Sequence, residues 1–492
     1  MKDVFENYNV KDKASKEIAK IHKYWARKPI TVVDKFISEY SKENDYVLDP
    51  FCGSGTFGIS ATSLDRNYIG YDLNPISNLI CKVVLSKDKE LNEFKYELDN
   101  LTKEIKKEIM ELYKFEKNYI KYQITNEKNS EVTLALTDFD LNRSSQKKVQ
   151  IQKSKVKESK YNISNIPDNL FPKEFYKDRF SYKGYSKVSD FYTNRNLKAL
   201  SILQEQINKI NGPSREYFLL CFSNTLLHVS DLKSENVRPL SVNNYWIPED
   251  YLEENVWWRF EERCRRFIEG LKFLSDEYST TADSKIYKSS GIYLKNTKEN
   301  SIDYIITDPP YGDVIQYSEL SFIWNTWLEK TFNTKDELII NPKQKKDSNF
   351  FLQEFAKFSR KTKLVLKKDK FFTLCFHNKN LSIWTKLLNI IFLDGFELVN
   401  ISIYNNHGNS FNNNWSKFSP KSDFYLTFKN TRKSKRFYEK MEFSELININ
   451  STSNKNISTI YDNIVSDIIF NIFQGIQILN ITDNKIEKLL EQ

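Results

Sequence analysis

Between Tyr46 and Leu73 two apolar runs, YVLDPF (46–51) and YIGYDL (68–73), flank a glycine-bearing turn and a helical stretch from Thr56 to about Asp65. Runs this short, bounded by turn residues, read as buried strands rather than helices. A strand–turn–helix–strand unit of this kind opens an α/β domain, because the two strands need a covering helix to connect them. Similar signals resume far downstream, at IDYII (302–306), FFTLCF (371–376), ELVNISI (397–403) and DFYLTF (423–428). The simplest organisation is therefore one α/β domain assembled from residues 1–88 and 286–435 and interrupted by residues 89–285.

The interruption reads as mostly helical. Leu91, Phe94, Leu98, Leu101, Ile105, Ile109 and Leu112 recur every three or four residues, the pattern of an amphipathic helix over 90–114. Helical patterns return in NLKALSILQEQI (196–207) and WWRFEERCRRFIEGLKFL (257–274). Between them, residues 120–165 have weak periodicity, and SSQKKVQIQKSKVKESK (144–160) reads as an exposed basic hairpin or mobile loop. The tail, 436–492, reads as helical, with a stripe of Ile464, Ile468, Ile472 and Ile476.

Composition limits the function classes. At 492 residues, two or three domains are expected. An apolar fraction of 40% with 14% aromatics excludes a chain disordered throughout. The first twenty residues are charged and lack an apolar core, so no secretory signal is expected; with no long apolar run either, the expected location is the cytoplasm. Five cysteines, Cys52, Cys81, Cys221, Cys264 and Cys375, contain no CxxC pair, and His22, His228, His377 and His407 show no HxH or HExxH spacing, so neither a disulfide framework nor a metal site is expected. A net charge of +9 permits a polyanionic partner.

Two motifs carry chemistry. In LDPFCGSGTFGIS (48–60), Gly53 and Gly55 lie between strand and helix, where small residues let a ligand approach the backbone. No Lys follows the glycines as in a phosphate-binding P-loop, and the third Gly of the dinucleotide fingerprint is missing. Asp72 ends the second strand, where a carboxylate can accept hydrogen bonds from both ribose hydroxyls of a nucleoside. Asp49 lies where the sheet opens at the carboxyl end of the first strand, and Phe51 is either core or ligand contact.

The second motif, IDYIITDPPYGDVIQYSEL (302–320), ends a strand in Asp308-Pro309-Pro310-Tyr311. Consecutive prolines fix φ and remove two N–H donors while leaving their carbonyls rigidly presented. A carboxylate beside a fixed carbonyl makes a two-acceptor site that suits an –NH2 group. The lone pair of an aromatic amine is delocalised into its ring. Accepting both hydrogens draws the nitrogen towards tetrahedral geometry and stabilises the charge that grows as it attacks. Tyr311 adds a face for stacking a heterocycle. Tyr317 and Glu319 are candidates to touch the same substrate, or else a structural turn.

Together these motifs resemble the S-adenosylmethionine-dependent amino-methyltransferases of DNA. The family's FxGxG motif matches Phe51-Cys52-Gly53-Ser54-Gly55, its DPPY motif matches Asp308 to Tyr311, and HKYWARKP (22–29) precedes the glycine loop as a short cofactor-side segment does in large prokaryotic members. The resemblance covers about 85 residues at the start and about 140 in the second half. It implies a Rossmann-like seven-stranded methyltransferase sheet and S-adenosyl-L-methionine as cofactor, held by Asp49, Phe51, Cys52, Gly53, Ser54, Gly55, Thr56 and Asp72. The methionine end of that cofactor would lie against residues 22–29. It implies catalysis by Asp308, Pro309, Pro310 and Tyr311 on an amino group of a base flipped from double-stranded DNA, without a metal. DPPY leans towards adenine over cytosine. A restriction–modification or defence system, with a possible restriction endonuclease partner, is the implied setting.

The insert lacks the Cys-rich zinc ribbon of some large members. If it recognises the target, basic residues are the candidates: Lys147, Lys148, Lys153, Lys155 and Lys157, then Arg259, Arg263, Arg265 and Arg266, each as readily a solvated charged face. Three other readings remain: a cytosine-N4 DNA methyltransferase, an RNA guanine-N2 methyltransferase, and a non-catalytic nucleic-acid-binding subunit. The short segment before Tyr46 argues against the RNA enzyme, and intact motifs argue against the last.

Overall fold

The computed structural model describes residues 12–87, 90–126, 131–139, 147–152, 161–163, 166–175, 184–240, 245–279, 282–405, 422–450 and 457–481. Lys153, Lys155, Lys157 and His407 lie outside the described residues.

The chain begins with helices α1 (Lys13–Ile18) and α2 (Ile30–Tyr40), then β1 (Tyr46–Asp49), α3 (Thr56–Ser63), β2 (Asn67–Tyr71) and α4 (Pro75–Val84). Asn74 caps α4 through its side chain and Pro75 fills the first helical position, where its missing N–H costs nothing. The insert follows: α5 (Leu91–Glu111), β3 (Lys114–Phe115), β4 (Asn118–Asn126), β5 (Glu131–Thr137), β6 (Lys147–Gln152), α6 (Asn194–Lys209), α7 (Ser214–Leu226), β7 (Asp250–Glu254) and α8 (Val256–Glu277). The second half runs β8 (Ser284–Tyr287), β9 (Ile302–Thr307), α9 (Tyr317–Leu320), α10 (Phe322–Trp327), α11 (Ser348–Val365), β10 (Leu366–Phe376), α12 (Leu381–Leu393), β11 (Phe396–Asn405) and β12 (Ser422–Asn430).

Seven strands form one mixed sheet in the order β11-β12-β10-β9-β1-β2-β8, so the α/β methyltransferase-like sheet expected from the sequence is present. β8, β2, β1, β9 and β10 are parallel, and β12 runs antiparallel between β10 and β11. Strand order reverses between β1 and β9, whose registered pairs include Leu48 with Ile305. In an open α/β sheet the crevice beyond the carboxyl ends at such a reversal is where ligands bind. The two motifs, about 250 residues apart in sequence, are therefore neighbours across one strand pair.

Alternate residues of the central strands feed two cores. Val47, Tyr304 and Ile306 join α2, α3 and the insert helices, while Leu48 and Ile305 join α11, α12 and the C-terminal elements. The insert shares the first core: α7 packs on α4 and α10, and α8 on α1.

The insert is less helical than its sequence suggests. β3 to β7 form a five-stranded antiparallel sheet, in large part where the sequence has only weak periodicity, with β4 paired to both β5 and β7. Leu134, Ala135, Leu136 and Thr137 are consecutively buried, which erases the alternation that marks a strand with one wet face. The tail likewise adds strands to helices. β13 (Glu439–Glu442) pairs in parallel with β14 (Ile476–Leu479), around helices Phe443–Asn450 and Ile457–Phe473. Ile464, Ile468 and Ile472 are buried as the stripe implied, while Ile476 starts β14 instead of extending the helix.

Candidate functional site

The glycine loop is shaped by its own hydrogen bonds. Gly53 (φ 49°) and Gly55 (φ 79°) take left-handed conformations that other residues resist, and Gly55 caps α3. A Cβ at Gly55 would lie 3.2 Å from both Cys81 Sγ and Val84, so the loop is pressed against α4. Asp72 holds the loop to the second strand: its carboxylate accepts from Gly53 N at 2.9 Å and Asn74 N at 2.8 Å. Burial raises the Asp72 carboxyl to about 6, against those two donors. Each carboxylate oxygen retains a lone pair for a further donor such as a ribose hydroxyl.

Asp49 lies elsewhere than at the ligand face. It is wholly buried beneath the loop, where it accepts from Phe51 N (3.1 Å), Thr307 Oγ1 (2.6 Å) and the Tyr68 hydroxyl (3.3 Å). Burial raises its carboxyl to about 7. Asp49 thus ties β1 to β9 and to the loop, and it does not line the cavity above them.

That cavity, of about 810 Å³ including its open mouth, joins the two motifs. Phe51, Cys52, Gly53, Ser54, Thr56 and Asp72 line it from one side, Asp308 and Pro310 from the other. Its size suits a nucleoside-bearing ligand and the reacting end of a second molecule. Segment 22–29 closes a third side with Tyr24, Trp25, Ala26, Arg27 and Lys28. Tyr24 stacks on Tyr317, with centroids 6.0 Å apart and planes 22° apart, and both line the wall.

Tyr311 sits differently from its expected stacking position. Its hydroxyl donates to Asp308 Oδ1, its ring meets Phe376 edge-on at 5.3 Å, and its carbonyl accepts from Asn378 Nδ2 at 2.9 Å. It is not among the residues lining the cavity, and neither is the buried Pro309, whose neighbour Pro310 is. Asp308 is raised to about 6 by burial, with Lys28 and the Tyr311 hydroxyl pulling the other way. Glu319 also turns from the cavity, accepting from Asn341 Nδ2 at 2.9 Å, so of the two residues after the motif only Tyr317 reaches the wall.

Several lining residues carried no sequence signal. Ser290 and Gly291 follow β8; a Cβ at Gly291 would sit 1.8 Å from the Pro50 carbonyl oxygen, so only glycine lets this turn close on the loop. Phe332, Asp336, Glu337 and Leu338 arrive from the connection between α10 and α11. Asp423 on β12 likewise carried no sequence signal; it holds Lys28 Nζ at 3.0 Å.

The residues present fit S-adenosyl-L-methionine on one observation in particular. Arg27 donates through Nη2 to the His22 carbonyl, but its buried Nε and Nη1 have no partner among the described residues. Burial lowers its guanidinium to about 10, still far above neutrality. A buried cation with idle donors in the cavity wall suits a carboxylate such as that of an amino acid.

The remaining candidates are occupied in the fold. On α8, Arg259 pairs with Glu254 and Glu262, Arg263 with Glu262 (3.2 Å) and Arg265 with Glu269 (3.1 Å). Arg266 approaches Glu262 at 3.9 Å. Lys148 pairs with Glu235 at 3.1 Å, and Lys147 is exposed on β6. His22 is buried against Ser223 Oγ at 2.9 Å and lowered by burial to about 3, so it is neutral. His228 is half-buried, and desolvation lowers its imidazole well below the ordinary value. His377 faces the Ser422 carbonyl at 2.9 Å, beside Tyr311. All five cysteines are free and buried, and no group of three or more His, Cys, Asp or Glu placed to hold a metal occurs among the described residues. No helix among those residues is long and apolar enough to cross a membrane.

Comparison with known proteins agrees with the geometry. A family model described as DNA methylase matches residues 1–82, the part that builds the glycine loop and its flanking strands. The type II methyltransferase M.MjaII of Methanocaldococcus jannaschii is 25% identical over 371 residues, 69% of this chain and 67% of that protein. M2.LlaDCHI of Lactococcus lactis subsp. cremoris is 37% identical over 92 residues, 18% of this chain and 34% of that protein. M2.DpnII of Streptococcus pneumoniae is 34% identical over 97 residues, 19% of this chain and 36% of that protein. The matches to the two shorter relatives thus span about a third of each. The chain is thus similar to type II DNA methyltransferases over about two thirds of its length, and its seven-stranded sheet and the meeting of its two motifs on one cavity are in keeping with that likeness.

Proposed function

We propose that this protein is a site-specific DNA methyltransferase that moves a methyl group from S-adenosyl-L-methionine to the exocyclic amino group of adenine in double-stranded DNA. It would act in the cytoplasm of a prokaryote, within a restriction–modification or defence system. The observation that carries this reading is the single cavity lined by Gly53 and Asp72 on one side and by Asp308 and Pro310 on the other.

The cofactor supplies an electrophilic methyl group on a sulfonium. Asp72 is placed to accept from its ribose hydroxyls, Arg27 to pair with its carboxylate, and the backbone at Gly53 leaves room for close approach. Asp308 and a main-chain carbonyl of the Pro309-Pro310 turn accept hydrogen bonds from the two hydrogens of the target amine, which directs the nitrogen lone pair towards the methyl carbon; as the N–C bond forms and the S–C bond breaks, one of those protons leaves the nitrogen. Tyr24, Trp25 and Tyr317 give the wall flat aromatic faces for a flipped base, with Tyr311 steadying Asp308 from the side. No metal and no covalent enzyme intermediate enter the scheme.

The test is incubation of the full-length protein with methyl-labelled S-adenosylmethionine and unmethylated duplex DNA or RNA, followed by digestion to nucleosides. Label in N6-methyldeoxyadenosine is expected. Label in N4-methyldeoxycytidine would reassign the base, and label in guanosine from RNA would reassign the substrate. Duplex binding without any label transfer would leave only a nucleic-acid-binding role.

A further inference from the structure

One ion cluster beside the Asp308 turn joins it to two residues that belong to neither motif. Lys28, 6% exposed, reaches from the segment before α2 to the turn that follows β9 and to the start of β12. Its Nζ donates to the Tyr311 hydroxyl (2.8 Å) and to Asp423 Oδ2 (3.0 Å), and it lies 3.5 Å from Asp308 Oδ2. It also sits 5.3 Å from the centroid of the Tyr311 ring. Lys28 and Asp423 are 395 positions apart in sequence, and no local pattern connects them.

A buried lysine is expensive unless its charge is matched. Here it is matched twice, by Asp308 and by Asp423, and these two overcome the burial that would otherwise neutralise it. The arrangement matters to Asp308. As an acceptor of amine hydrogens it must be ionised, yet burial favours its neutral form. The groups around it are Lys28 from the segment before α2, Tyr311 on its own turn, Asp423 and Tyr425 on β12, Asp49 on β1, Cys375 on β10 and Tyr317 on α9, and His377, just after β10, lies 3.9 Å from the Asp423 carboxylate. Lys28 is the cation in contact with Asp308, and Asp423 is the second carboxylate that bonds it.

The geometry points to Lys28 and Asp423 as positioning residues that set the charge of Asp308, Lys28 holding it ionised and Asp423 restraining Lys28 from pairing with it completely. A fully formed Lys28–Asp308 pair would compete with the substrate amine for the same carboxylate. Sharing the ammonium with Asp423 keeps the Asp308 oxygens available while retaining the nearby positive charge. This rests on the methyltransferase reading above.

The two residues therefore have opposite signatures. Transfer should fall as pH drops through the Asp308 titration, because the neutral acid accepts poorly. Lys28→Met removes the cation that lowers that titration, so the acidic limb of single-turnover transfer should move to higher pH by about one unit or more. Asp423→Asn removes a neighbouring negative charge and leaves Lys28 to Asp308 alone, so the limb should move to lower pH. The maximal rate should fall at the same time, as the amine loses its acceptor.

The experiment is a pH series of single-turnover methyl transfer to duplex DNA by the full chain and by both variants, with thermal melting to establish folding. If Lys28→Met does not fold, Asp423→Asn decides alone. Limbs displaced in opposite directions support the inference, as does the downward shift of Asp423→Asn where only it can be measured. Limbs that coincide with wild type, or that move together, overturn it. A wild-type protein that transfers no methyl group would instead overturn the methyltransferase reading, so the two failures are distinguishable.

Discussion

At the scale of single residues the cavity assigns different tasks to chemically similar groups. Asp308 and Asp72 face it, while Asp49 supports it from below. Asp308→Asn keeps the shape but replaces half of the acceptor with a donor. Methyl transfer should fall by about 10²- to 10³-fold, the usual cost of one lost oxyanion-type contact, while cofactor affinity from equilibrium dialysis stays within a few-fold. Arg27→Gln should do the reverse. Cofactor Kd should rise about tenfold or more, since a charge-assisted hydrogen bond is worth about 1.5–3 kcal/mol, with little change in rate at saturation. Asp49 makes a pH prediction of known sign. Its folded titration near 7 lies above the unfolded value near 4, so its contribution to stability is complete below about pH 4 and is lost as pH rises to about 7. Asp49→Asn does not titrate. Urea unfolding should show the variant gaining on wild type by a few kcal/mol, to order of magnitude, between pH 4 and 7. Parallel stability curves would contradict this assignment.

The elements show why some of this was readable in sequence and some was not. The glycine loop and the DPPY turn are local conformations, imposed by φ at Gly53 and Gly55 and by consecutive prolines, and both appear where the sequence put them. α5, α6 and α8 follow their apolar stripes for the same reason. β5 does not, because burial on both faces removes the alternation. The arginines of α8 find most of their partners on the same helix, at spacings the sequence already shows: Glu262 lies three residues after Arg259 and four before Arg266, and Glu269 four after Arg265; Glu254, which closes β7, adds a further carboxylate to Arg259. That helix also crosses the chain closely at Gly270. A Cβ there would lie 2.7 Å from Ile21 Cγ1 and 3.1 Å from the Glu17 carbonyl oxygen. Gly270→Ala should force α8 away from α1 and cost about 1–3 kcal/mol in urea unfolding, despite the higher helix propensity of alanine.

Across the whole molecule, the insert enters between β2 and β8 and shares a core with one face of the sheet, so the insert and the elements that carry the cavity form one packed body. Many of the charged side chains on α8 are neutralised in place, and the excess of nine positive charges must be expressed elsewhere on the surface. Binding to duplex DNA should therefore weaken steeply with salt, by about 10-fold or more between 50 and 200 mM, as phosphate contacts release counterions. A flat salt dependence in fluorescence anisotropy would argue against a DNA-facing surface of this charge.

The sequence by itself determined the conformations that depend on neighbours a few residues away: the left-handed glycines, the rigid proline turn, and the helices with one greasy face. It also carried the chemistry of those turns, because an acceptor pair and a glycine cradle are written in consecutive residues. Only the tertiary structure decided where these pieces meet. Pairing β1 with β9 sets the cradle beside the acceptor pair, and closing the N-terminal segment against β12 brings Lys28 to Asp308 and Asp423. The physical reason is that strand pairing and buried ion pairs form between residues hundreds of positions apart, so their energy is absent from any short stretch of chain and exists only once the sheet is assembled.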